Sequence, residues 1–90
     1  MPTIRPTFED TATEIKRIIR DQFQIDEASI RPESSFVADL GADSLRLVEM
    51  TLVFEEAFDI DIEDEDVAQI LTVRDAIDYV EKRVMARQPD

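Results

Sequence analysis

Apolar residues recur at helical intervals in three stretches of this chain, and the stretches differ in how much of the helix surface they cover. Phe8, Ala12, Ile15, Ile18, Ile19 and Phe23 form one narrow stripe. They predict a first amphipathic helix, opened by a capping-box arrangement of Thr7 with Asp10. Its polar side carries Glu14, Lys16, Arg17, Arg20 and Asp21, a mixed set suited to solvent. Near the other end, Val73, Ala76, Ile77, Val80 and Val84 form a second single stripe behind Thr72 as N-cap and Asp75 at the third position. Ala86 to Asp90, with Pro89, reads as a fraying end.

The middle stretch is different. From about Ser44 to Ala57 apolar side chains cover more than half of the helix: Leu45, Leu47, Val48, Met50, Leu52, Val53, Phe54 and Ala57. Such a helix either packs on two or more sides or offers an exposed apolar strip. Before it, Gln24 to Ala42 lacks periodicity and contains Pro32 and Ser34-Ser35. That segment reads as a long loop pinned by Ile25, Ile30, Phe36, Val37 and Leu40. After it comes an acidic run with a short helix near Glu63 to Gln69, held down by Ile60, Ile62, Val67, Ile70 and Leu71. No stretch alternates as a strand would, and one glycine and four prolines are too few for a turn-rich sheet protein. The expected fold is all-α: a small four-helix bundle of three longer helices and one short one, with the long loop between the first and second helices.

Ninety residues with 43% hydrophobic content suit one domain, residues 1–90, with an ordered core of about 8–84. With no cysteine and no histidine, the chain has no thiol of its own and lacks the usual zinc ligands. The start of the sequence has no signal-peptide pattern, and no run approaches the ~20 apolar residues of a membrane span, so a cytoplasmic location is expected.

Charge is unevenly distributed. Residues 1–23 and 72–90 each balance four acids against four bases, whereas residues 39–66 hold eleven acids and one base, Arg46. Most of the net charge of -12 therefore sits in the middle of the chain. A field of that sign repels nucleic acid and anionic membrane and steers basic partners.

Within this acidic middle, Asp39-Leu40-Gly41-Ala42-Asp43-Ser44-Leu45 places a hydroxyl at a helix start, with Asp43 or Ser44 opening the helix and Gly41 in the preceding turn. A serine there is ordinarily a cap. The run resembles the modification site of acyl carrier proteins, and so do Phe36-Val37-Ala38-Asp39-Leu40, Val48-Glu49, Phe54 to Asp59, and Thr72 to Val80. In that family the serine of an Asp-Ser-Leu triplet carries 4'-phosphopantetheine, and here the triplet is Asp43, Ser44 and Leu45. The resemblance implies a freestanding, monomeric carrier and not an enzyme. Its arm, donated by coenzyme A through a phosphopantetheinyl transferase, would hold acyl groups as thioesters. It would deliver them to acyl-chain synthases, reductases and acyltransferases with basic docking patches, in fatty-acid or related lipid metabolism. A phosphodiester on Ser44 would lie beside the positive end of the helix, which favours an anion.

Three rivals fare worse or differ in kind. A serine hydrolase lacks its histidine, and Gly41-Ala42-Asp43-Ser44-Leu45 does not match the nucleophile elbow. Asp59, Asp61 and Glu63 imitate three positions of a calcium loop, but Asp64 stands where glycine is needed and Ile70 where glutamate is needed. An acidic domain that only docks on basic proteins is compatible with composition.

Two positions depart from the usual fatty-acid pattern: Arg46 stands where an acid is common, and Ala57 replaces a frequent glutamate. Both would soften the negative face, so a specialised carrier for polyketide or other secondary acyl biosynthesis is the alternative. Ala42 is closer to acyl than to peptidyl carriers. Partner contacts are expected from Asp43, Leu45, Arg46, Glu49, Met50 and Glu55. Phe36, Phe54, Phe58 and Tyr79 are expected to pack, some of them bordering space for an acyl chain. Gly41 is expected to supply a positive φ or room for a close approach.

Overall fold

A computed structural model describes residues 8–87, with side chains from 11 to 86. The proposed Thr7 and Asp10 cap lies outside the described side chains, as do residues 88–90 of the expected fraying end, while Ala86 and Arg87 are helical. The elements are α1 (Phe8–Phe23), a 3-10 turn (Glu27–Ser29), α2 (Ser44–Phe58), α3 (Asp64–Val67) and α4 (Val73–Arg87). They form a helical bundle of three long helices and one short one, as the periodicity predicts. Among the described residues, the 3-10 turn is the one helical segment that periodicity does not foreshadow.

Each long helix is delimited by local chemistry. The chain leaves α1 at Gln24, which takes φ 54°, and Ile25 N–H reaches back to the Arg20 carbonyl at 3.3 Å. That pairing satisfies one of the orphan carbonyls of the last turn. In the same way α2 stops at Asp59 with φ 55°, whose N–H bonds the Glu55 carbonyl. At the start of α4 the predicted cap is present in reciprocal form: Asp75 N–H donates to Thr72 Oγ1 at 3.1 Å, and Thr72 N–H donates to Asp75 Oδ2 at 3.1 Å. Asp75 also takes the Leu71 N–H at 3.1 Å.

Both single stripes face inward. Ile15, Ile18 and Ile19 of α1 are buried with Val73, Ala76, Ile77, Val80 and Val84 of α4, and α1 packs on both α4 and α2. Each Ile or Val among them contributes about 1.5–3 kcal/mol on leaving water, so these stripes make one side of the core. The other side comes from α2, through Met50 and Phe54, which are fully buried, with Leu47, Val53 and Phe58 packed against them. Ile60, Ile62 and Ile70 anchor the segment around α3 as expected, but Leu71 is 61% exposed and does not.

The long connection after α1 is less loose than its sequence suggests. Ile30 and Phe36 are buried and pin it, and Ile25 and Leu40 pack on the core, whereas Val37 is exposed. The segment from 32 to 36 is laid against the start of α4 by backbone bonds: Phe36 N–H to the Leu71 carbonyl at 3.0 Å, Val73 N–H to Ser34 at 3.0 Å, and Arg74 N–H to Pro32 at 2.8 Å. They form around an isolated antiparallel bridge of Ser35 with Thr72. Ser34 Oγ accepts the Arg31 N–H and Ser35 Oγ the Ala38 N–H, each at 3.1 Å, so both hydroxyls are committed to turns.

Candidate functional site

The turn that ends in Ser44 is built from three backbone devices. Ser35 N–H donates to Asp39 Oδ2 at 2.7 Å, while Asp39 and Leu40 N–H groups return to the Ser35 carbonyl at 2.9 and 3.0 Å. Ala42 N–H then bonds the Phe36 carbonyl at 2.8 Å and its side chain is buried. Between them Gly41 adopts φ 71° with no atom within 4 Å of where a Cβ would stand. Of the two roles expected for this glycine, the structure supports the backbone one.

Asp43 is the N-cap of α2: its Oδ1 accepts the Arg46 N–H at 2.8 Å, and its carbonyl accepts the Leu47 N–H at 3.0 Å. Ser44 is the first residue of the helix and is exposed. Its hydroxyl has no hydrogen-bond partner among the described residues. Asp43 therefore does the capping that an arbitrary serine at this place would do, which leaves the Ser44 oxygen free. The N–H groups of the first helical turn add positive potential around it. No histidine or cysteine exists in the chain to activate it. An exposed, unpartnered hydroxyl at the head of a fifteen-residue helix suits a phosphodiester link that another protein must form.

From Ser44 onward α2 presents two faces. Leu45, Val48 and Leu52 are 67%, 44% and 56% exposed and share one side of the helix with Glu49 and Glu56, which are also exposed. The opposite side, with Leu47, Met50, Thr51 and Phe54, is turned to the core. Met50 is thus not available to a partner, contrary to expectation. It lies five positions beyond Leu45, a rotation that carries it across the helix to the inner face. Glu55 is also not a free charge: its Oε2 accepts the Ile62 N–H at 2.8 Å and ties the segment after α2 to the helix. Arg46 turns away from the acidic side. Its Nη1 donates to the Gln22 carbonyl at 2.6 Å and its guanidinium stands 5.6 Å from the centre of the Phe23 ring. The side chain keeps its charge but is held against the end of α1. Ala57 is exposed.

Of the acids imitating a calcium loop, Asp59 is instead the left-handed residue that ends α2, and among the described residues no three acids converge as metal ligands. Phe36 and Phe54 are fully buried, and Phe58 is partly so. Tyr79 borders a groove of about 660 Å³ between α4 and the 69–70 segment, with Ile70 and Met85. Its phenol donates to Asp66 Oδ2 at 2.6 Å and accepts from Arg83 Nε at 3.1 Å, and Arg83 Nη2 also bonds Asp66 at 3.1 Å. Sequence reading missed this triad, which holds α3 to α4; only the i, i+4 spacing of Tyr79 and Arg83 hints at half of it. No described helix is long and apolar enough to cross a membrane.

Residues 13–80 match the family described as the phosphopantetheine attachment site. The fold is similar to that of the acyl carrier protein from Enterococcus faecalis, with a TM-score of 0.74 and 32% sequence identity over 86% of this chain and 98% of that one. On family match and fold together, the chain belongs to the acyl carrier proteins, whose prosthetic group is covalently bound 4'-phosphopantetheine.

Proposed function

We propose that Ser44 is the residue that bears the arm, and that the chain carries acyl groups for fatty-acid or related acyl-chain biosynthesis, without catalysing a reaction of its own. One observation carries the assignment. Ser44 combines an exposed hydroxyl without a partner, a place in the first turn of α2, and the Asp-Ser-Leu run inside the matched residues. The arm, when bound, supplies the thiol that a chain without cysteine lacks.

The chain's own residues do the rest. Asp43 holds the helix start so that Ser44 Oγ is free, and Gly41 lets the turn form. Leu45, Val48 and Leu52 offer an apolar strip edged by Glu49 and Glu56, suited to a partner that brings aliphatic side chains with Lys or Arg around them. The same strip would receive the phosphopantetheinyl transferase and then the acyl-transferring enzymes in turn, which calls for weak, fast docking.

Incubation with coenzyme A and a phosphopantetheinyl transferase, followed by intact-mass spectrometry, tests this reading. Wild-type protein should gain one arm and Ser44→Ala none. Attachment to the Ala variant, or at Ser29, Ser34 or Ser35 in the wild type, would refute the assignment.

A further inference from the structure

Arg46 is the one base in residues 39–66, and its side chain is occupied in a way that charge alone does not explain. Nη1 meets the Gln22 carbonyl at 2.6 Å while the guanidinium carbon lies 5.6 Å from the Phe23 ring centre. Gln22 and Phe23 are the last two residues of α1. There the carbonyls run out of helical partners and the dipole is negative, so a cation is favoured on both counts. The same Phe23 ring stacks on Phe36, with centroids 6.3 Å apart and 22° between planes. Phe36 in turn holds the Ser44 turn, because its carbonyl takes the Ala42 N–H at 2.8 Å. The turn is thereby fixed on both sides of Ser44, through Phe36 before it and Arg46 after it, and both anchors meet on Phe23.

We propose that Arg46 is a positioning residue for attachment of the arm: it clamps the start of α2 onto the end of α1, so that the Ser44 oxygen is presented at one fixed angle to the modifying enzyme. This rests on Ser44 as the attachment residue. A guanidinium is suited to the task because its plane can lie against a ring while one N–H points at a carbonyl. The compact, strongly hydrated ammonium of lysine does the two together poorly. Releasing the clamp leaves Ser44 exposed but lets its turn wander. Small misplacements of a reacting atom are costly in rate. The rival role for Arg46, a point charge that contacts or steers the transferase, predicts a different response to the same substitutions.

Arg46→Ala and Arg46→Lys are to be compared with wild type well below the melting temperature of all three, by attachment kinetics with coenzyme A and a transferase and by amide hydrogen exchange. The clamp predicts that both variants lose about five- to ten-fold in kcat/KM for attachment. It also predicts that the Ala42 and Leu47 amides of both exchange faster by a similar factor. Wild-type kinetics in Arg46→Lys would overturn the proposal in favour of a point charge. Unchanged exchange at Ala42 and Leu47 in Arg46→Ala would overturn it outright. If wild-type protein itself accepts no arm, the Ser44 reading fails, and the exchange data alone decide whether the clamp exists.

Discussion

Met50 and Leu45 lie five positions apart in one helix, and the fold assigns them opposite duties. Met50 is fully buried and Leu45 is 67% exposed. Truncating Met50 empties volume in a close-packed core, so Met50→Ala should cost about 2–4 kcal/mol. For a domain of this size that lowers the melting temperature by about 10–20 °C. Leu45→Ala should change stability by less than about 0.5 kcal/mol while weakening transfer to partner enzymes. Thermal melts of the two variants beside a transfer assay check the division. Sequence reading had both residues facing partners. With apolar side chains at eight of the fourteen positions from 44 to 57, periodicity states that α2 is a helix but not which side faces in. The place of Ser44 at the head of α2 was legible, because a helix-start signal and a family triplet coincide there. The roles of Glu55 and Arg46 were not, since each bonds a backbone group outside its own helix, Arg46 on α1 and Glu55 in the segment after α2.

At the scale of elements, α1 and α4 were legible because each has one stripe and one polar side. α3 is another matter. Four residues cannot sustain a helix alone, and this one is tied to α4 by Asp66, Tyr79 and Arg83. Arg83 also lies over the Tyr79 ring at 5.0 Å. Burial, and next the hydrogen bond to Asp66, push the Tyr79 phenol above its ordinary value of 10.0, against the opposing pull of Arg83. The sign of the linkage follows from that direction. A folded pKa above the unfolded one means that the folded state keeps the proton longer. The contribution is therefore fully present below pH 10 and is lost as pH rises through the higher folded value. Tyr79→Phe should cost about 1 kcal/mol near neutral pH. That deficit should hold up to about pH 10 and shrink above it. Urea melts of both proteins from pH 8 to 11 measure it, and a deficit that grew with alkalinity would count against the triad.

For the whole molecule, the acids of residues 39–66 divide into those bonded within the fold and those left outward. Asp39, Asp43, Glu55 and Asp66 are engaged in backbone caps, a tether and the triad. Glu49 and Glu56 remain on the outward side of α2 with its apolar strip. Glu14, by contrast, pairs with Arg17 on α1 at 3.1 Å. Glu49→Lys should therefore slow association with basic partners about three- to ten-fold, and Glu14→Lys far less. The Glu49 effect should fade at high salt, since the Debye length is about 8 Å at physiological ionic strength. Stopped-flow association across a salt series distinguishes the two sites, and equal slowing would contradict the assignment of the docking side.

The bridge of Ser35 with Thr72 carries a consequence for folding. Its backbone bonds join segments far apart in sequence, so closing it costs loop entropy that nearby contacts do not. The Ser44 turn hangs from Phe36 inside the strapped segment. The Ser44 turn therefore depends on a tie between the long loop and the start of α4. Opening of the strap under native conditions would release the Phe36, Val73 and Arg74 amides together with that of Ala42, as one cooperative unit. A modifying enzyme that requires the ordered turn would meet it only while the strap is closed, and would so discriminate against half-folded chains.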